Sequence, residues 1–226
     1  SIPAPAGLGL DSAAVRARMV QRLAAGGVSS GAVLTAMGAV ERHRFVDSAL
    51  VNQAYEDTSL PIGLGQTISK PSVVARMMEL LLGAEIARSA AGLGRVLEVG
   101  TGCGYQAAVL ARLAREVYSI ERLRGLHEKA RTNLRPLRLA NVHLILGDGM
   151  EGYAKGAPYA GIVAAAGGSQ LPLAWCEQLA VGGRLVAPTA LADGQQVLLV
   201  VDKTAHGLKQ TVLEPVHFVP LKSGVA

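Results

Sequence analysis

The apolar positions fall into two regimes. From residue 11 to about residue 87 they recur at helical spacing, with Val15, Met19 and Leu23 four apart and Val74, Met77, Met78, Leu81 and Leu82 forming one stripe. This predicts helices over 11–25, 30–41, 47–55 and 70–87, with Asp11 or Ser12 as the first N-cap and Pro71 opening the last helix. Beyond Gly92–Gly94 the pattern shortens to apolar runs at 95–99, 116–120, 142–146, 159–165, 183–188, 196–201 and 211–219. Helical segments at 104–114, 122–134 and 171–180 separate the earlier runs, which predicts an α/β fold with a doubly wound, mostly parallel sheet. The last runs follow one another across turn signals at Gly182–Gly183 and Asp193–Gly194, which predicts an antiparallel C-terminal edge. The expected organisation is a single domain over 1–226, with a helical cap over 1–90 and a ligand-binding core over 91–226.

Composition narrows the class. Half the residues are apolar and 17% are charged, as in a globular chain. Only 4% are aromatic, so the core must come mostly from Ala, Val and Leu. The net charge of +5 comes from scattered arginines. The densest basic stretches, Arg42–His43–Arg44 and Arg122–Leu123–Arg124, each follow a glutamate and read as solvated helix faces rather than a nucleic-acid patch. Cys103 and Cys176 give no disulfide framework, and the five histidines show no metal-ligand spacing, so no metal is expected. His43 reads as support for the loop that follows it, Cys103 as a small residue suited to a tight loop, and Trp175 and Cys176 as buried packing. No apolar run reaches the roughly 18 residues of a membrane span. Ser1–Leu10 lacks the pattern of a signal peptide. The expectation is a monomeric cytoplasmic protein with neither a membrane nor a nucleic-acid partner.

The chemistry concentrates in "RVLEVGTGCGYQAAVLA", residues 95–111. A strand ends at Glu98–Val99, and Gly100, Gly102 and Gly104 lead into a helix whose first N–H groups are free. The spacing G-x-G-x-G differs from the G-x-G-x-x-G of a dinucleotide loop. The carboxylate of Glu98, two residues before the first glycine, would oppose a pyrophosphate and suits a cationic ligand such as S-adenosyl-L-methionine. Glu121 and Asp148 end the next two predicted strands, where one would meet ribose hydroxyls and the other the adenine amino group.

With these residues the chain resembles the protein-L-isoaspartate O-methyltransferases. "LEVGTGCGY" and "GDG" are common to many methyltransferases, whereas "ERHRFV" (41–46), "YEDTSLPIGLGQTIS" (55–69) and "VHFVPL" (216–221) point to this family, and the match runs nearly end to end. The resemblance implies a Rossmann-like class I methyltransferase fold and methylation of L-isoaspartyl carboxylates in damaged proteins and peptides. It implies cofactor contacts from Glu98, Gly100, Thr101, Gly102, Glu121, Asp148 and Gly149. It also implies an acceptor site formed by Gln66, Thr67, Ile68 and Ser69, with Ser69 at the chemistry. "GQTIS", residues 65–69, holds no acid or base, which suits an acceptor already ionised at neutral pH. Two departures stand out. The family usually has an aspartate where this chain has Ala160, and "GAAAP" where it has Ala165–Ala166–Gly167–Gly168. The expectation is a strand exit made more mobile by the glycines. The rival readings are a methyltransferase of the same fold with a small-molecule acceptor, and a non-catalytic cofactor-binding relative.

Overall fold

A computed structural model describes residues 12–226. The reading of Ser1–Leu10 and the Asp11/Ser12 cap lie outside what is described. Helix α1 (Ser12–Ala25) is followed by α2 (Gly31–Ala39), whose N-cap Ser30 accepts from Val33 N at 3.3 Å. The second helix stops at Ala39, short of the expected residue 41, a 3-10 turn follows at Arg42–Phe45, and the expected helix over 47–55 becomes a 3-10 helix, Ser48–Gln53. The first, with four residues, is of the length usual for that geometry, and the second, with six, is longer than most. Next comes a hairpin that the periodicity did not indicate, β1 (Leu60–Gly63) with β2 (Gln66–Ile68). Its turn residues Leu64 and Gly65 have φ of 55° and 72°, the positive values that match a tight turn to strand twist.

The single helix expected over 70–87 divides into α3 (Pro71–Leu82) and α4 (Glu85–Ser89) at Gly83. There Arg184 Nη1 donates to the Leu80 carbonyl at 3.0 Å, and a Cβ on residue 83 would lie 2.8 Å from that nitrogen. The core then runs β3 (Leu93–Val99), α5 (Tyr105–Leu110), β4 (Ala114–Glu121), α6 (Arg124–Leu134), β5 (Val142–Leu146) and β6 (Tyr159–Ala164). It ends with β7 (Ala166–Gly167), α7 (Leu173–Gln178), β8 (Leu179–Ala190), β9 (Gln196–Thr204), β10 (Gly207–Pro215) and β11 (Val219–Pro220).

Seven strands form one sheet in the order β10-β9-β8-β6-β3-β4-β5. The five from β8 to β5 are parallel, and β9 and β10 extend it antiparallel, as the sequence predicts. Gly182–Gly183 is not a turn. It lies inside β8, where the pairing with β6 shifts register and Gly182 takes φ of 85°. The expected strand over 211–219 also divides, and its last part leaves the main sheet as β11 to pair with β7.

Both faces of the sheet are covered. One hydrophobic cluster joins Met19, Met37, Met77 and Met78 of the N-terminal helices to Val96, Val117 and Val186 of the strands. The other face packs Leu97, Ile162 and Leu185 against Trp175. Arg42 corrects the solvated reading of its basic stretch, since it is fully buried while Arg44 is exposed. Its guanidinium donates to the Ala54 carbonyl at 2.7 Å and lies 4.8 Å from the centre of the Tyr105 ring. His43 braces the same region through a 2.7 Å contact from Nδ1 to the Tyr55 hydroxyl.

Candidate active site

Chain order reverses between β3 and β6, whose carboxyl ends therefore open a crevice. The glycine loop forms its floor. Gly100 and Gly102 have φ of 94° and 57°, and a Cβ on residue 102 would lie 3.3 Å from the Ile62 side chain. Only glycine combines that backbone with so close a hairpin. Glu121, at the end of β4, accepts from Gly102 N and Leu123 N, both at 2.9 Å. Asp148 accepts from Met150 N at 2.9 Å, and this turns Gly149 inward until a Cβ there would be 2.5 Å from Val99 Cγ1. Trp175 Nε1 holds the Gly149 carbonyl at 2.7 Å from below.

The crevice walls come from Val99, Gly100, Gly102, Ile120, Glu121 and Gly149, from Gln66 and Thr67 of the hairpin, and from Val219 to Lys222 near the end of the chain. A smaller cavity beside it is lined by Thr67, Ile68, Ser69, Thr101, Tyr105 and Gln106. Thr67, Gly100, Gly102 and Ala165 border both, so the two share one wall. Sequence reasoning thus names residues on both sides of this wall. Asp148 is half-buried and stands behind Gly149 rather than among the wall residues.

Glu98 lies differently from its expected place. It is fully buried beneath the loop, where Ser119 Oγ lies 2.5 Å from Oε1 and Gln106 Nε2 donates to Oε2 at 3.0 Å. Thr101 Oγ1 is 2.6 Å from Ser119 Oγ. Burial outweighs these bonds and pushes the carboxyl up to about 8, with the negative charge of Glu121 adding to the shift. Gln106 lies within the 95–111 stretch but the motif gives it no role, and nothing in the sequence marks Ser119 as part of the site. The Val219–Lys222 wall overlaps the terminal "VHFVPL" motif at 219–221, which marked the family but suggested no role.

The departures prove structured. Ala160 is buried within β6. At the exit expected to be more mobile, Gly167 O accepts from Leu221 N and Gly168 O from Ala190 N, each at 3.0 Å. A Cβ on residue 167 would sit 2.7 Å from the Pro188 carbonyl oxygen, so its lack of a side chain lets two backbones meet. Cys103 is buried and its thiol is pushed up to about 11 by desolvation, which leaves it no thiolate to react. Trp175 is buried as expected, but Cys176 is only half-buried. Among the described residues no group of His, Cys, Asp and Glu could hold a metal.

A crevice floored by glycines, with Glu121 on its wall and an uncompensated carboxyl beneath its loop, fits a nucleoside ligand that carries positive charge. The model of the protein-L-isoaspartate(D-aspartate) O-methyltransferase family matches residues 14–226. The protein-L-isoaspartate O-methyltransferase of Methylibium petroleiphilum is 63% identical over 222 residues, covering 97% of this chain and 81% of the relative. That of Leptothrix cholodnii is 60% identical over 223 residues, covering 98% and 78%. A solved protein-L-isoaspartate O-methyltransferase superposes with a TM-score of 0.82 at 29% identity, over 93% of this chain and 67% of that one. A Plasmodium falciparum protein solved in complex with S-adenosyl-L-homocysteine shares the fold, with a TM-score of 0.75 at 24% identity over 92% and 98%. Matched over residues 14–226, from the first helix through the crevice walls to Ala226, this chain belongs to the protein-L-isoaspartate(D-aspartate) O-methyltransferase family.

Proposed function

We infer that this chain methylates the free carboxylate of L-isoaspartyl residues in damaged proteins and peptides with S-adenosyl-L-methionine. In our reading Gly100, Thr101, Gly102, Glu121, Asp148 and Gly149 hold the cofactor, with Glu98 acting from beneath the loop. Gln66, Thr67, Ile68 and Ser69 hold the acceptor. When bound, the cofactor supplies an activated methyl group on a sulfonium.

The acceptor carboxylate, with a pKa near ~4, is ionised at neutral pH and needs no general base. The protein's part is orientation and exclusion of water. Ser69 Oγ–H donates to one acceptor oxygen, and the Thr67 wall brings that oxygen against the glycine loop. The β1–β2 hairpin and the Val219–Lys222 segment both line the crevice. Ester loss through a succinimide, and its hydrolysis to aspartate, then proceed without the enzyme.

The single observation that carries this reading is the shared wall. A hydroxyl-lined cavity with no acid or base on the hairpin side adjoins a crevice built for a cationic nucleoside. The test is methyl transfer to an isoaspartyl peptide and to its aspartyl twin. Labelling confined to the isoaspartyl peptide supports the reading, and equal labelling of both, or of neither, overturns it. We also propose that cap and core act as one unit and that the working form is a cytoplasmic monomer without membrane or nucleic-acid partners. Light scattering at assay concentration tests the monomer.

A further inference from the structure

Glu98 is enclosed between β3, β4 and α5, and the side chains that bond it are neutral. Ser119 of β4 is 2.5 Å from Oε1 and Gln106 of α5 is 3.0 Å from Oε2. Among the described residues no Lys, Arg or His forms an ion pair with it. The one charged group acting on it is Glu121 of β4, which repels. A buried carboxyl without a cation keeps its proton, because desolvation disfavours the charged form. The geometry says where that proton sits. Gln106 donates to Oε2, so the proton belongs on Oε1, facing Ser119 Oγ.

Ser119 and Thr101 each own one hydroxyl hydrogen, and their oxygens are 2.6 Å apart. With Glu98 neutral, Oε1–H donates to Ser119, Ser119 donates to Thr101, and the Thr101 hydrogen is free to turn to the acceptor cavity that Thr101 lines. With Glu98 ionised, Ser119 must donate to Oε1 and Thr101 to Ser119, so Thr101 presents only lone pairs to that cavity. The three groups form one relay whose direction is set by a single proton.

We propose that Glu98 holds a proton in the ligand-free protein and releases it to solvent when S-adenosyl-L-methionine brings its positive charge to the crevice, with Ser119 as the positioning residue that carries the change to Thr101. This rests on the cofactor-side reading above. The O–H bond of Oε1 breaks, its electron pair stays on the carboxylate, and the sulfonium and ammonium supply the cation that the folded protein lacks. Desolvation pushes the free group up to about 8, so the release falls near neutrality. Cofactor affinity therefore rises by about tenfold per pH unit as pH approaches that value from below.

The experiment is titration calorimetry of S-adenosyl-L-methionine into the whole protein at about pH 6.5, in two buffers of different ionisation enthalpy. The ligand's own α-amino group, near ~8, stays charged there. We expect release of about one proton from the unaltered protein and none from Glu98→Gln. Ser119→Ala leaves Glu98 harder to ionise, so its affinity loss is large at low pH and shrinks as pH rises, whereas a merely structural role gives an equal loss at every pH. Binding heat that does not depend on buffer overturns the proposal while leaving the cofactor reading intact. Absence of binding overturns the cofactor reading itself. Release persisting in Glu98→Gln would assign the proton elsewhere, and the count on the unaltered protein stands whether or not either variant folds.

Discussion

Lys129 of α6 donates from Nζ to the Ile62 carbonyl at 2.8 Å, which fastens the β1–β2 hairpin to the helix that follows Glu121. Leu64 at the hairpin tip lies over Gly125 of the same helix, close enough that a Cβ on residue 125 would be 2.9 Å from it. The hairpin brings Gln66 and Thr67 to the crevice, so its anchorage sets their position. Lys129→Met removes a charge-assisted bond from a partly exposed site, worth about 1 kcal/mol. The expected outcome is a KM for isoaspartyl peptide raised about fivefold with kcat nearly unchanged, measured by steady-state methyl transfer.

Ser69→Ala deletes the hydroxyl assigned to the acceptor oxygen and nothing in the cofactor crevice. Loss of one hydrogen bond to a charged group is worth roughly 1.5–3 kcal/mol, so kcat/KM should fall about tenfold to a hundredfold. Cofactor affinity by calorimetry should stay within about twofold. Full activity in this variant would reduce Ser69 to a structural residue.

Gly149→Ala forces a methyl group to within 2.5 Å of Val99 Cγ1, in the wall of the cofactor crevice. Overpacking of this kind costs about 1–3 kcal/mol. Thermal melting should show the loss, and cofactor affinity should weaken alongside it because the displaced strand end is also the binding wall.

Arg42→Ala empties a fully buried position and strips the Ala54 carbonyl of its donor and the Tyr105 ring of its cation. A destabilisation of about 3 kcal/mol is expected in urea unfolding. If Arg42 were a solvated surface residue, as the sequence suggests, the change would fall within about 0.5 kcal/mol.

Glu98 also governs the pH dependence of the ligand-free fold. Its carboxyl is raised to about 8 in the folded protein, against an ordinary ~4.3 when unfolded. Between those values the folded state holds the extra proton, so stability falls as pH rises from about 4.5 to about 8 and is then flat. Glu98→Gln removes that penalty. It should raise the melting temperature relative to the unaltered protein at pH above about 8 and make little difference near pH 4.5, as scanning calorimetry can measure.

The sheet was legible in the sequence because its strands alternate with helices and end in acids or glycines, and both signals are local. The parallel core and the glycine loop appear where the sequence puts them, and the antiparallel edge appears with shifted bounds. Three things were not legible for the same reason. The break at Gly83 depends on Arg184, about a hundred residues away, taking the Leu80 carbonyl. The burial of Arg42 depends on the Tyr105 ring. The β1–β2 hairpin is three to four residues a side, too short for an alternating pattern. The site divides likewise. Glu121 and the glycines announce themselves at strand ends, whereas Ser119 looks like any polar residue in a strand until the fold sets it against Glu98.

Residues 219–226 tie the two sides of the crevice together. β11 pairs with β7 on one side, while Ala226 bonds Arg122 and Arg124 on the other through its N–H and carbonyl. The central sheet is complete by Pro215. During synthesis, then, a chain that has emerged as far as β10 already owns most of its hydrophobic core and its glycine loop but lacks one wall of its binding crevice. Stability and ligand binding are thereby acquired in sequence. A truncation before Val219 should yield a protein that melts cooperatively yet holds its cofactor weakly.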